Sequence, residues 1–174
     1  MKSNLVQYLK EYGDKSFRET PFSEVDALVL AQLSYLKMKD IVPGFGKGSA
    51  VSWQEMAQHP RAEQMFADPL YGKQHRRIFF LVASSRRYRQ VRAACYKEWL
   101  DEEKEGQFAA VTFLLGRTSV YVSFRGTDET LVGWKEDFNM SYMKTVPAQK
   151  SALAYLKGSA RYTEGRMILG GHSK

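Results

Sequence analysis

The chain has 174 residues, 44% of them hydrophobic and 13% aromatic, a composition that excludes an intrinsically disordered segment and fits about one globular domain. Net charge is +7, and the single cysteine, Cys95, excludes an intrachain disulfide and fits a reducing compartment. No apolar signal core follows Met1, and the longest apolar runs, Ile78–Ala83 and Phe108–Leu115, fall far short of the roughly 20 residues of a membrane span, so a soluble, cytoplasmic protein is expected.

In chain order, Leu5, Tyr8, Leu9 and Tyr12 recur at helical spacing, and Gly13-Asp14 ends that helix. Thr20-Pro21 then opens a second helix, with threonine as N-cap and proline at the first helical position. Its apolar stripe, Val25, Leu28, Val29, Leu33 and Leu36, predicts one buried face. Pro43–Ser49 reads as a glycine-rich turn and not as a phosphate loop, because the spacing differs and no clear strand precedes it. Short helices are predicted over Ser52–Gln58 and Arg61–Ala67. Asp68-Pro69 breaks the second, and a longer helix from Gly72 turns Ile78, Phe79, Val82 and Ala83 inward. His59 and His75 have no nucleophile or second ligand at motif spacing and are read as surface or packing residues. No metal-ligand spacing occurs, and neither metal nor cofactor is expected.

The texture then changes. Arg89–Trp99 reads as a strand that holds Cys95 as a small buried filler, and Asp101–Gly106 as a charged turn. Gln107–Leu115 is nearly continuous apolar, as in a strand covered on both faces. Gly116-Arg117-Thr118 turns a hairpin into Ser119–Phe124, which alternates as a second, antiparallel strand. Pro147 starts a helix with Ala148, Ala152, Tyr155 and Leu156 on one face, and Met167–Gly170 is the next strand. Strand, helix and strand in that order form a βαβ unit with its two strands parallel. Thr127 and Ser173 would then leave the sheet at the same carboxyl edge, where α/β sheets hold ligands.

Two features carry function. Between Lys73 and Lys97 lie Lys73, Arg76, Arg77, Arg86, Arg87, Arg89, Arg92 and Lys97, a basic stretch that suits an anionic polymer or membrane surface. No nucleic-acid recognition motif accompanies it, and no specific nucleic-acid partner is expected. The tail, Met167-Ile168-Leu169-Gly170-Gly171-His172-Ser173-Lys174, has an apolar run, glycines and then serine, as in the strand-to-turn of a G-x-S-x-G nucleophile elbow.

The segments Phe124–Asp128 (F-R-G-T-D), Gly133–Phe138, Val146–Gln149 and Gly171–Lys174, in this order, resemble the class 3 (fungal-type) lipases among the α/β-hydrolases. They resemble most an uncharacterised bacterial lipase-like branch, over about Ser85 to the end. The resemblance implies an α/β fold: the N-terminal part of an α/β-hydrolase, a mixed sheet with an antiparallel hairpin and then a βαβ unit. It divides the chain into a mainly helical region, 1–84, and the first half of the hydrolase domain, 85–174. It implies Ser173 as nucleophile of a lipase- or esterase-like enzyme and oxyanion donors from the backbone N–H groups of Thr127 and Lys174. Arg125, Gly126, Asp128, Trp134 and Asp137 would shape the supporting loop. His172 adjoins the serine and is read as a packing residue, because successive residues of an elbow point in different directions.

In such enzymes the acid and then the histidine follow the serine in the chain. Both are therefore expected beyond Lys174, and this stretch is expected to be the inactive front part of a longer hydrolase. The expected partner is a small-molecule or lipid ester. A membrane surface, and a second copy paired through the sheet edge, are the further partners considered. The rival from another class is a non-catalytic module binding an anionic polymer or membrane through the basic stretch.

Overall fold

The computed structural model describes residues 4–47, 49–103, 106–126, 134–135, 138–139, 141–162 and 164–172. Five strands form one mixed sheet: β1 (Val51–Ser52), β2 (Arg92–Asp101), β3 (Gly106–Leu114), β4 (Ser119–Arg125) and β5 (Arg166–His172). They lie in chain order, antiparallel from β1 to β4 and parallel between β4 and β5. The fold is therefore α/β. Helices α1 (Leu5–Tyr12), α2 (Glu24–Leu33), α3 (Trp53–Gln58) and α4 (Gly72–Ser84) precede β2, and α5 (Pro147–Ser159) crosses from β4 to β5.

Alternation on β3 explains the layers, since successive side chains of a strand point to opposite faces. Val111 and Phe113 join a core with α1, α2, α3 and α4, including Leu9, Leu30, Leu33, Trp53, Ile78 and Phe79. Phe108 and Ala110 face the other way, into a smaller core with Val122, Ala148 and Tyr155 of α5. β3 is buried along nearly its whole length, as its continuous apolar run predicts. The N-terminal helices thus pack on the sheet face opposite α5.

Three local expectations are corrected. Helix α2 starts at Glu24, and its N-cap is Ser23, not Thr20. Ser23 and Asp26 form a reciprocal capping box, in which the Ser23 N–H donates to Asp26 Oδ2 at 2.8 Å. That satisfies N-terminal donors which Thr20, three residues too early, leaves open. The α2 stripe is also misplaced: Val25 is 38% and Leu28 42% exposed, whereas Leu30 and Ala31 are buried with Val29 and Leu33. The helix contacts α4, β4 and β5, so it is covered on several sides and its apolar pattern does not define a single face. The second short helix is a 3-10 turn over Ala62–Phe66.

Strand β1 has no signal in the sequence because two residues are too few to show a period. Strand β2 carries a bulge between Ala94 and Lys97, with Cys95 at φ 58°. A positive φ in a residue other than glycine is held there by its surroundings. Cys95 is buried as expected, and burial pushes its thiol pKa up.

Candidate active site

The geometry begins with β4 and β5. They pair in register from Ser119 with Arg166 to Arg125 with His172, so both strands end at one edge of the sheet. The two glycines of β5 permit that approach. A Cβ on Gly171 would stand 2.6 Å from the Phe124 carbonyl oxygen, and one on Gly170 would stand 2.4 Å from the Tyr121 hydroxyl. The glycines before the expected elbow are therefore set by the neighbouring strand. His172 contributes its main chain to β5. Thr127, Asp128, Asp137, Ser173 and Lys174 lie outside the described residues.

Arg125 and Gly126, which lead to that edge, are buried. Arg125 is only 6% exposed, and its Nη2 lies 2.7 Å from Glu98 Oε1 on β2. The Tyr96 hydroxyl donates to Glu98 Oε2 at 2.8 Å, and Lys37 approaches the same carboxylate at 3.5 Å. Burial by itself would raise the Glu98 carboxyl, but the Arg125 charge and the hydrogen bonds of Arg125 and Tyr96 hold it below the usual range. Arg125 Nη1 is buried and, among the described residues, has no hydrogen-bond partner. An unmet buried donor of this kind is costly, and Trp53 Nε1 and Ser123 Oγ are in the same condition.

Glu98 and Tyr96 were not legible as site residues. The bulge at Cys95 reverses the facing of the strand, and nothing in the sequence reports that Glu98 lies beside the end of β4. Trp134 is 67% exposed, so among the expected loop-shaping residues it stands apart from the buried Arg125 and Gly126.

Neither described histidine side chain belongs to this edge. His75 is buried between α2 and the aromatic rings of Tyr35 and Tyr71, its Nε2 lies 2.6 Å from Gln32 Nε2, and burial lowers its pKa. It is the packing residue the sequence suggests. His59 caps α3, which follows β1 at the far side of the sheet. Among the described residues no three His, Cys, Asp or Glu side chains gather to hold a metal, and no helix is long and apolar enough to cross a membrane.

Half of the basic stretch finds carboxylate partners in three dimensions. Arg76 pairs with Glu63, Arg86 with Glu19, Arg87 with Asp26 and Arg92 with Glu55. Its acidic complement comes from the N-terminal helical region, brought alongside by folding.

The family model described as Mbeg1-like matches residues 82–174, more than half of the chain and every expected site residue. The chain belongs to the Mbeg1-like family. The match runs from the end of α4 through β5 and so takes in the parallel β4–β5 edge and the Arg125–Glu98 pair. No curated protein and no solved structure matches the chain.

Proposed function

We propose that the chain carries the nucleophile and the oxyanion donors of a lipase- or esterase-like serine hydrolase of the α/β-hydrolase fold, acting on an ester or related acyl substrate. The observation that carries this reading is the in-register parallel pairing of β4 and β5, with α5 as the crossover. It brings the ends of the two motif-bearing strands side by side, as one acyl centre attacked at Ser173 and stabilised at Thr127 requires. The matching family is itself described as lipase-like.

In this reading the Ser173 hydroxyl adds to the acyl carbon and loses its proton to a base. The resulting oxyanion accepts hydrogen bonds from the backbone N–H groups of Thr127 and Lys174. Expulsion of the protonated alcohol leaves an acyl-enzyme that water hydrolyses. Arg125, anchored by Glu98, would hold the start of the oxyanion turn. Among the described residues no histidine side chain stands at this edge to act as that base.

The non-catalytic rival rests on the basic stretch, of whose eight cations four pair with carboxylates of the same chain. The deciding experiment treats the protein, purified from cells that carry its own gene, with a fluorophosphonate probe. Peptide mass spectrometry should find the adduct on Ser173, and Ser173→Ala should abolish it. An adduct or ester turnover that survives Ser173→Ala sinks the proposal.

A further inference from the structure

A cleft of about 560 Å³ lies where Phe45 and Gly46 fold against the C-terminal end of α5, remote in role from the acyl chemistry above. Its walls are fixed. The Phe45 ring meets Tyr155 edge-on with centroids 4.9 Å apart and tilts onto Tyr162 at 6.3 Å. Gly158 makes room for it, since a Cβ there would stand 2.9 Å from Phe45 Cε1. The Gly46 N–H donates to the Tyr162 hydroxyl at 3.5 Å, and that hydroxyl also bonds Cys95 of β2. Loop, helix end and sheet are therefore tied together, and the volume lies within the span of small-ligand sites, about 300–1,000 Å³.

Three cations line this cleft: Lys97 from β2, Lys157 from α5 and Arg161 from the 3-10 turn after it. Among the described residues no aspartate or glutamate lines it. Among the described residues none of the three has a salt bridge, whereas Arg61, Arg76, Arg86, Arg87, Arg92 and Arg125 each meet a carboxylate within 3.4 Å. Like charges facing one cleft repel, and an anion between them removes that cost. We propose that this cleft binds a small organic anion, its carboxylate or phosphate head against Lys97, Lys157 and Arg161 and its apolar body on the rings of Phe45 and Tyr162.

Lys157 and Arg161 also complement the negative end of the α5 dipole, a role that would change stability and not binding. The test separates the two. Octanoate, phenyl phosphate and inorganic phosphate are each titrated into the ¹⁵N-labelled 174-residue chain at low salt. Saturable shifts are expected at the amides of Gly46, Lys157 and Tyr162, with one of the two organic anions binding about tenfold or more tighter than inorganic phosphate. Whichever binds better identifies the head group. The double substitution Lys157→Gln with Arg161→Gln should weaken that binding about tenfold or more, as expected for lost charge-assisted bonds. If that variant does not fold, Lys97→Gln on the strand should weaken binding several-fold. The proposal is overturned if those amides show no saturable shift, if inorganic phosphate binds equally well, or if the substitutions alter stability and leave affinity unchanged.

Discussion

Two buried arginines sit in the same protein and are treated differently. Arg87, behind the sheet, places every donor group: Nε and Nη2 on Asp26 at 2.7 and 2.6 Å, Nη1 on the Lys15 and Thr20 carbonyls, and Nη2 also on Pro21. Its partner Asp26 is equally occupied by Tyr88, Tyr8 and Ser23. Arg125, at the carboxyl edge, is paired on one side with Glu98 and, among the described residues, keeps Nη1 unmet. A fully answered buried charge fastens the segment before α2 to the start of the sheet region. A half-answered one, at the end of β4, leaves part of the cost of its burial unrepaid.

The largest effect expected from breaking this contrast is at Arg87. Arg87→Met leaves Asp26 buried without its cation and should lower stability by about 3–5 kcal/mol in urea unfolding. A loss under about 1 kcal/mol would mean that the cluster is not the fastening it looks to be. The same cluster has an acid signature. Burial alone would raise the Asp26 carboxyl, but hydrogen bonds from Arg87, Tyr88 and Ser23 outweigh it and hold the pKa down. A carboxyl depressed in the folded state stabilises above its unfolded pKa, and that contribution fades as pH falls through the folded value. Unfolding followed from neutral pH into the acid range should therefore show a loss below about pH 4 that is much smaller in Asp26→Asn, a variant already weaker at neutral pH.

Next in size is the β4–β5 seam. Gly171→Ala drives a methyl onto the Phe124 carbonyl, a backbone atom that cannot yield without parting the strands, and should cost about 1–3 kcal/mol. Thermal unfolding that matches the parent would show that the seam is looser than described.

Glu98→Gln tests the other arginine. The Glu98 side chain is 24% exposed, so water softens the loss, and about 1–2 kcal/mol is expected. Fluorophosphonate labelling at Ser173 should fall by more than stability alone explains; unchanged labelling in a folded variant would remove Arg125 from the oxyanion turn. Arg61→Ala completes the series from the exposed side. Its pair with Asp40 lies in solvent, and no measurable change in unfolding is expected. A clear loss there would mean that burial does not separate strong pairs from weak ones in this molecule.

What the sequence determined by itself is the run from the hairpin through β5, because those elements obey local rules. A continuous apolar strand, a Gly-Arg-Thr turn, an alternating strand and a proline-started helix each announce themselves within a few residues of their own position. The α/β order follows, and with it the juxtaposition of the two motif-bearing strand ends. Tertiary structure alone decided the fate of the charges. Arg86 and Arg87 are neighbours in one basic stretch, yet the first lies half in solvent and the second is fully buried. Composition cannot distinguish them, because their partners Glu19 and Asp26 are more than sixty residues away in the chain. The same holds for Glu98 beside Arg125 and for Phe45 against Gly158. A contact between distant residues is set by register and packing, and neither can be read from the residues that make it until the chain has folded.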